Sequence, residues 1–258
     1  MAEITAALVK ELRDATGIAM LKCKKALDEA EGDLGKAREI LRKAGESDAA
    51  KRSERTAGEG LVAVKISDDG KKAAAVQLFC ETDFVAVNAE FVALGDELAA
   101  AALAGENIAE TSAEKIRAAI QKNGENIKIG TVEIFEDECV TSYLHSNKKI
   151  GVLVAGSGAP KILTDVAMQV AAMHPSVLSP DEVSDESVAA ESKIQKEMLA
   201  KEGKPAEMMD KIMEGKLRKF RDGKSLLKQP FVKDPSKTVE QFLSENDAKV
   251  TKFARLAI

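Results

Sequence analysis

Three regimes of hydrophobic spacing follow one another along the chain. Over residues 4–44 the apolar positions fall at helical intervals. Ile4, Leu8 and Leu12 share one face, Met20, Cys23 and Leu27 a second, and Leu34, Ala37, Ile40, Leu41 and Ala44 a third. Gly17 stands where the first helix should stop, Gly32 ends the second, Asp33 is placed to cap the third and Gly45 closes it. This predicts a three-helix module over residues 1–55, with 46–56 as a charged, exposed and partly helical linker. So small a core is marginal by itself, which favours a module docked onto a partner over a free-standing enzyme domain.

Over residues 58–174 the spacing changes to strands followed by a helix, and does so twice. Residues 60–67 and 73–80 flank the turn dipeptide Asp69-Gly70, and an alanine-rich helix follows over 88–103. Residues 131–145 and 150–155 flank the polar turn 146–149, and a helix follows over 162–173. Between the two units, 113–123 reads as a connecting helix stopped by Gly124. A hairpin covered by a helix is an α+β unit with an antiparallel sheet. Two related core subdomains are therefore expected, over 56–140 and 141–258.

The third regime begins after Pro180. Ile194 and Met198, then Met209, Ile212, Met213, Leu217 and Phe220, make a narrow stripe on either side of Gly203-Lys204-Pro205. This predicts an antiparallel coiled-coil hairpin at about 181–226, projecting from the second subdomain, with Met198, Met209 and Met213 in its seam. Pro230-Phe231-Val232, a short helix over 236–244 and a strand over 249–256 then return the chain to the core.

Composition narrows the function. Of 258 residues 45% are hydrophobic and 31% charged, enough apolar material for packed cores. Aromatic residues make up only 3%, and the formal net charge is -5, which together argue against a protein that stacks bases on rings. No DNA contact is expected. RNA contact survives only in an alternative reading, an RNA- or ribosome-binding accessory protein using the basic segment 211–228. The three cysteines, Cys23, Cys80 and Cys139, form no CxxC pair, and the two histidines, His145 and His174, stand alone, so no metal site is expected. Reduced thiols and the lack of a signal core or of an apolar run near the ~20 residues of a membrane span fit a cytoplasmic protein.

Catalytic motifs fail one by one. Gly223-Lys224-Ser225 ends like a phosphate loop, but Arg218 stands where the loop's first glycine belongs. Gly156-Ser157-Gly158 lacks the third glycine of a dinucleotide fingerprint, whose place is Lys161. Neither GxSxG nor HExxH occurs, and no histidine adjoins Cys80 to make it a nucleophile. A protein without covalent chemistry and without a cofactor of its own is expected.

Several segments have an identity sharper than their composition. Lys10-Glu11-Leu12-Arg13-Asp14-Ala15-Thr16-Gly17, continuing through Met20 to Cys23-Lys24-Lys25-Ala26-Leu27, resembles the amino-terminal signature of the bacterial elongation factor Ts family. Cys80-Glu81-Thr82-Asp83-Phe84-Val85-Ala86 resembles that family's most recognisable internal motif, and His145 with Ile150-Gly151-Val152-Leu153-Val154 resembles another. Gly203-Lys204-Pro205 resembles its hairpin tip. Gln229-Pro230-Phe231-Val232 and Asp234-Pro235-Ser236-Lys237-Thr238-Val239 resemble its return segment.

The resemblance implies a UBA-like amino-terminal module, two related core subdomains and a helical hairpin. It also implies a guanine-nucleotide exchange factor that acts on elongation factor Tu, with GDP, GTP and Mg²⁺ belonging to that partner and any oligomer forming through it. Thr82, Asp83, Phe84 and Val85 would enter the partner near its Mg²⁺ site, Phe84 as an apolar wedge and Asp83 either bonded to the displaced segment or competing electrostatically near the metal. Arg13 and His145 would be further contacts. The residues alone give a plainer reading, in which Thr82 or Asp83 caps a helix, Phe84 fills this protein's own core and His145 supports a hairpin. Two positions depart from the family pattern: its Met-His-Ile-Ala-Ala reads Met168-Gln169-Val170-Ala171-Ala172 here, and the sequence reaches Ile258 without the tail helix of many members.

Overall fold

The computed structural model describes residues 4–201 and 206–258. Three helices come first, α1 (Ala6–Thr16), α2 (Met20–Glu29) and α3 (Leu34–Arg52). Gly17 stops α1 in the left-handed conformation (φ 68°), its N–H bonded to the Arg13 carbonyl at 2.7 Å. Asp33 starts α3, its Oδ1 accepting from the N–H groups of Gly35 (2.8 Å) and Lys36 (3.0 Å). Those bonds, the one to Lys36 foremost, hold its carboxyl below the usual range. Leu12, Cys23, Leu27, Ala37 and Leu41 form the module's core.

The stop expected at Gly45 is not there, because α3 runs on to Arg52. Gly45 is instead a point of close packing. A Cβ at this position would lie 2.7 Å from Gln121 Oε1, and Gln121 Nε2 donates to the Leu41 carbonyl at 2.7 Å. Docking against a second helix thus offsets the roughly 0.5–1 kcal/mol that glycine costs inside a helix.

The middle of the chain holds β1 (Glu59–Ile66), β2 (Lys72–Cys80), α4 (Asp83–Ala86), α5 (Ala89–Leu103), α6 (Ile108–Thr111), α7 (Ala113–Asn123), β3 (Lys128–Glu136), β4 (Cys139–Leu144), β5 (Ile150–Ser157) and α8 (Pro160–Met173). The hairpin is α9 (Asp185–Lys201) and α10 (Ala206–Lys224), linked by Lys216 Nζ donating to Gln195 Oε1 at 2.8 Å. Its tip, Gly203-Lys204-Pro205, lies outside the described residues. Met213 is buried and Met209 half-buried, but Met198 faces outward and Leu199 takes the buried position. The return segment is β6 (Pro230–Phe231), β7 (Asp234–Thr238), α11 (Val239–Glu245) and β8 (Lys249–Ala257). The helix expected from Ser236 begins at Val239, since Thr238 and Gln241 form a capping box and the preceding residues pair with β6.

Two antiparallel three-stranded sheets result, in the orders β1-β2-β3 and β4-β5-β8. The strand-like run 131–145 is therefore two strands in different sheets, and the expected boundary at 140/141 runs through β4. Each sheet is buried on both faces, where one was expected. Leu61, Ala74, Val76 and Leu78 share a core with Phe91, Leu98 and Ala99 of α5. Val152 and Val154 share another with Leu163, Val166 and Val170 of α8. The inner faces meet each other, Val62, Ala73, Ala75 and Phe135 against Val140, Leu153, Ala155 and Leu256. The order of layers is helix, sheet, sheet, helix. Among the described residues, no helix is long and apolar enough to cross a membrane.

Candidate functional site

The connection from β2 to α5 carries the Thr-Asp-Phe-Val motif. β2 ends at Cys80, opposite Glu59 of β1, and beyond it the backbone has no ladder to join. A carboxylate replaces the ladder. Glu125 Oε2 accepts from the N–H groups of Glu81 and Thr82, both at 3.0 Å, and its Oε1 accepts from Thr82 Oγ1 at 2.6 Å. Glu81 reciprocates, its Oε1 accepting from Asn126 N at 2.7 Å, while Asn126 Nδ2 donates to the carbonyls of Ser53 (3.3 Å) and Arg55 (2.8 Å). Hydrogen bonds with an ionised acceptor are about twice as strong as neutral ones, so the turn is fixed to the segment after α7 and to the end of the amino-terminal module.

Thr82 is extended (φ -125°, ψ 154°) and caps α4, its Oγ1 3.5 Å from Val85 N. A single helical turn divides its apolar residues cleanly. Val85 and Ala86 pack on the first core, whereas Phe84 is 82% exposed and Val87 76% exposed. The Asp83 carboxylate is exposed and makes no hydrogen bond or ion pair among the described residues. The plainer reading from the residues is thus half right: Thr82 caps a helix, but Phe84 fills no core. Phe84 and Val87 are the two most exposed of the large apolar side chains among the described residues.

His145 lies near this turn. It is exposed, its backbone closes the β4–β5 hairpin through Ile150 and Lys148, and its Nδ1 is 2.9 Å from Tyr143 Oη. The same hairpin is tied to the first sheet by the Lys148 carbonyl, which accepts from Val62 N at 2.7 Å, and by Lys149 Nζ, 2.6 Å from Glu59 Oε2. That hydrogen bond to Glu59 raises the Lys149 pKa, and the nearby Asp83 carboxylate adds to the shift. Asp83, Phe84 and the His145 hairpin therefore share one end of the two sheets. Arg13 is exposed on α1, and no hydrogen bond or ion pair joins it to either turn among the described residues. Its helix reaches toward them indirectly. Gly17 abuts Lys122, which pairs with Glu90 in the first turn of α5.

Other sequence features take internal roles. Cys80 is fully buried, its Sγ–H donates to the Thr82 carbonyl at 3.1 Å, and burial, with the Glu125 charge behind it, pushes the thiol up to about 12. Such a thiol is no nucleophile near neutral pH. Gln169, at the position of the family's histidine, is fully buried: its Nε2 donates to Gln229 Oε1 and the Pro230 carbonyl, both at 3.1 Å, and its Oε1 accepts from Val232 N at 2.7 Å. It clips the return segment to α8 and offers no surface to a partner. In the basic segment, Lys216 bonds to Gln195, Lys228 pairs with Glu240 and Lys224 lies over the Phe220 ring. Among the described residues no group of three His, Cys, Asp or Glu side chains could hold a metal ion.

Glu125, Asn126 and Lys149 escape the motif search, although the fold makes them, with Glu81 of the motif, the supports of the 82–85 turn. One signal for them exists: Glu125-Asn126 follows immediately on the helix stop at Gly124, just as Glu81-Thr82 follows immediately on a strand.

Comparison with known proteins bears directly on this arrangement. The family described as "Elongation factor TS" matches residues 81–258, a span that begins at the site. The protein named Elongation factor Ts from Hydrogenovibrio crunogenus is 45% identical over 268 residues, covering 99% of this chain and 91% of the relative. Those of Sodalis glossinidius and Yersinia pestis (strain Pestoides F) are 44% and 45% identical over 265 residues, each covering 100% of this chain and 92% of the relative. On the length and order of these matches, the chain belongs to the elongation factor Ts family.

Proposed function

We propose that the protein is a guanine-nucleotide exchange factor for elongation factor Tu, acting in the cytoplasm without covalent chemistry or a cofactor of its own. The observation that carries this reading is the phenyl ring of Phe84, held in solvent by a one-turn helix whose Val85 and Ala86 pack on the protein's own core. A rigid turn with one outward ring is suited to entering another protein, because little conformational entropy remains to be lost on contact. Phe84 is the wedge that displaces partner side chains near the Mg²⁺ site. Asp83, whose carboxylate makes no hydrogen bond or ion pair among the described residues, accepts a hydrogen bond from the displaced segment. Thr82 and Val85 hold the turn, and His145 and Arg13 contact the partner at its margins. The three-helix module, the two sheet units and the hairpin serve as separate contact bodies, and GDP, GTP and Mg²⁺ remain the partner's.

Energetics explains why no active site is needed. A nucleotide bound with a nanomolar Kd is held by about 12 kcal/mol, part of it through the metal that bridges its phosphates to the protein. Disturbing the metal's surroundings weakens that hold directly. By linkage, a factor that lowers the affinity for GDP by some ratio is itself weakened by GDP in the same ratio, so the factor binds the nucleotide-free partner best. The test is stopped-flow release of fluorescent GDP from elongation factor Tu. Release should accelerate with the concentration of this protein; an unchanged rate at saturating concentration rejects the reading.

A further inference from the structure

The chain's two histidines are each bonded at one ring nitrogen, and the two bonds select opposite forms of the ring. His174 ends α8, and its Nε2 lies 2.8 Å from Arg255 Nη2 of β8. A guanidinium has donors only, so His174 Nε2 accepts and the ring proton is on Nδ1. His145 is bonded at the other nitrogen. Its Nδ1 lies 2.9 Å from the hydroxyl of Tyr143, the one tyrosine of the chain. The phenol is the stronger acid of the pair and the imidazole nitrogen the stronger base, so Tyr143 donates and Nδ1 accepts. The single proton of the neutral His145 ring then sits on Nε2. Tyr143 is itself anchored, being half-buried and packed on the second core. The two rings are 6.0 Å apart and tilted by 50°, so they do not stack, and the hydroxyl is what holds the imidazole. The backbone of His145 is already used, its N–H bonded to the Ile150 carbonyl at 2.9 Å and its carbonyl to Lys148 N at 2.8 Å. That leaves Nε2, on an exposed residue at the end of the sheets that carries Phe84, with no hydrogen bond among the described residues.

We infer that Tyr143 is a positioning residue, which fixes His145 as a hydrogen-bond donor through Nε2 for an acceptor oxygen on the partner. The inference rests on the exchange reading, in which His145 contacts elongation factor Tu. Without the hydroxyl, the neutral ring divides between two forms, and one of them turns a lone pair toward the same oxygen. Holding the right form before contact lowers the cost of binding. A neutral N–H also costs less to desolvate in an interface than an ammonium group would. The hairpin thus adds a directed polar contact beside the apolar one made by Phe84.

The first measurement uses the chain alone. Long-range proton–nitrogen NMR correlations at about pH 8.5, above the range in which imidazoles ordinarily take up a proton, tell protonated from bare ring nitrogens. The two histidines should show opposite patterns, Nε2–H for His145 and Nδ1–H for His174, with His174→Gln assigning the signals. Tyr143→Phe keeps the packed ring and loses only the hydroxyl. The His145 pattern should then become a mixture while that of His174 stays, and circular dichroism establishes that each variant is folded. The second measurement is stopped-flow GDP release at subsaturating protein. Tyr143→Phe should slow stimulated release about two- to tenfold, the range set by one net hydrogen bond. His145→Ala should slow it at least as much, and Tyr143→Phe added to it should slow it no further. His145→Gln, whose amide carries a donor of its own, should fall between the unaltered chain and His145→Ala and be indifferent to Tyr143→Phe. A proton on Nδ1 of His145, an unchanged pattern in Tyr143→Phe, normal exchange by that variant, or exchange defects that add each overturn the inference. If the unaltered chain leaves GDP release unaccelerated, the exchange reading and the donor's role fall together, and the NMR pattern of the free chain separates that failure from a wrong ring form.

Discussion

The two sheet units solve the same problem, joining the middle strand to the helix that covers it, with very different lengths of chain. From β5 to α8 the connection is residues 158 and 159, and Pro160 opens the helix. From β2 to α5 it is residues 81–88, with the extra turn α4 inside it. The short connection shows what the fold requires: Gly158 at φ 111° turns the chain, and proline at the first helical position needs no N–H partner. Everything beyond that in the long connection is additional. It holds Phe84 and Val87 in solvent, and it needs Glu125, from another part of the chain, to satisfy its backbone. The surplus of one unit over the other thus marks the residues kept for something other than folding.

That contrast is broken most directly at Phe84. Phe84→Ala removes a side chain that touches little of its own protein, so the stability should change by no more than about 0.5 kcal/mol. Interface hot spots cost at least about 2 kcal/mol when truncated, and each 1.4 kcal/mol is tenfold. Stimulated GDP release at subsaturating protein should therefore slow by roughly thirtyfold to a hundredfold. A variant that melts early, or that exchanges normally, removes the distinction between the two connections.

The opposite result is expected at Gly158. A Cβ there would lie 2.7 Å from the Ala248 Cβ, and φ 111° is strained for any side chain. Gly158→Ala should lower stability by about 1–3 kcal/mol, read as a lower urea midpoint. Exchange per folded molecule should stay the same. Loss of exchange in a variant that remains folded would mean that the short connection also contributes to partner contact.

Much of this contrast is legible in the sequence, and the illegible part has a physical cause. The helical spacing of the first module, the stops at Gly17 and Gly124, the first hairpin and the turn over 146–149 depend on local pattern, and they stand where the pattern puts them. The second buried face of each sheet was readable in principle, since residues 73–78 and 152–155 are apolar at nearly every position where a half-exposed strand would alternate. Gly45 misled because a glycine reads as a stop, whereas here its missing side chain admits Gln121 from a helix far along the chain. The break between β3 and β4 escaped for a similar reason: a change of sheet is a tertiary event, with only Asp137 and Glu138 between the strands. At the site, Thr82 and Phe84 were found by motif. The exposure of Phe84 and the support from Glu125 depend on what packs where, which spacing along one segment does not encode.

Glu125 offers the smallest effect and the finest division between the connections. Glu125→Gln retains one carbonyl oxygen, so one of its acceptor positions survives and the ionic strengthening is lost. The cost to stability should be about 1 kcal/mol, since the N–H groups of Glu81 and Thr82 sit at a partly exposed turn where water can replace part of the bond. Exchange should slow only severalfold if the residue acts by holding the start of α4 in place through its bonds to Glu81 and Thr82. A double-mutant cycle tests that role. If Glu125 works through the placement of Phe84, then Glu125→Gln added to Phe84→Ala should slow exchange no further while still lowering the urea midpoint. Full additivity of the two exchange defects would mean that Glu125 contributes separately, and that the long connection is more than a mount for one ring.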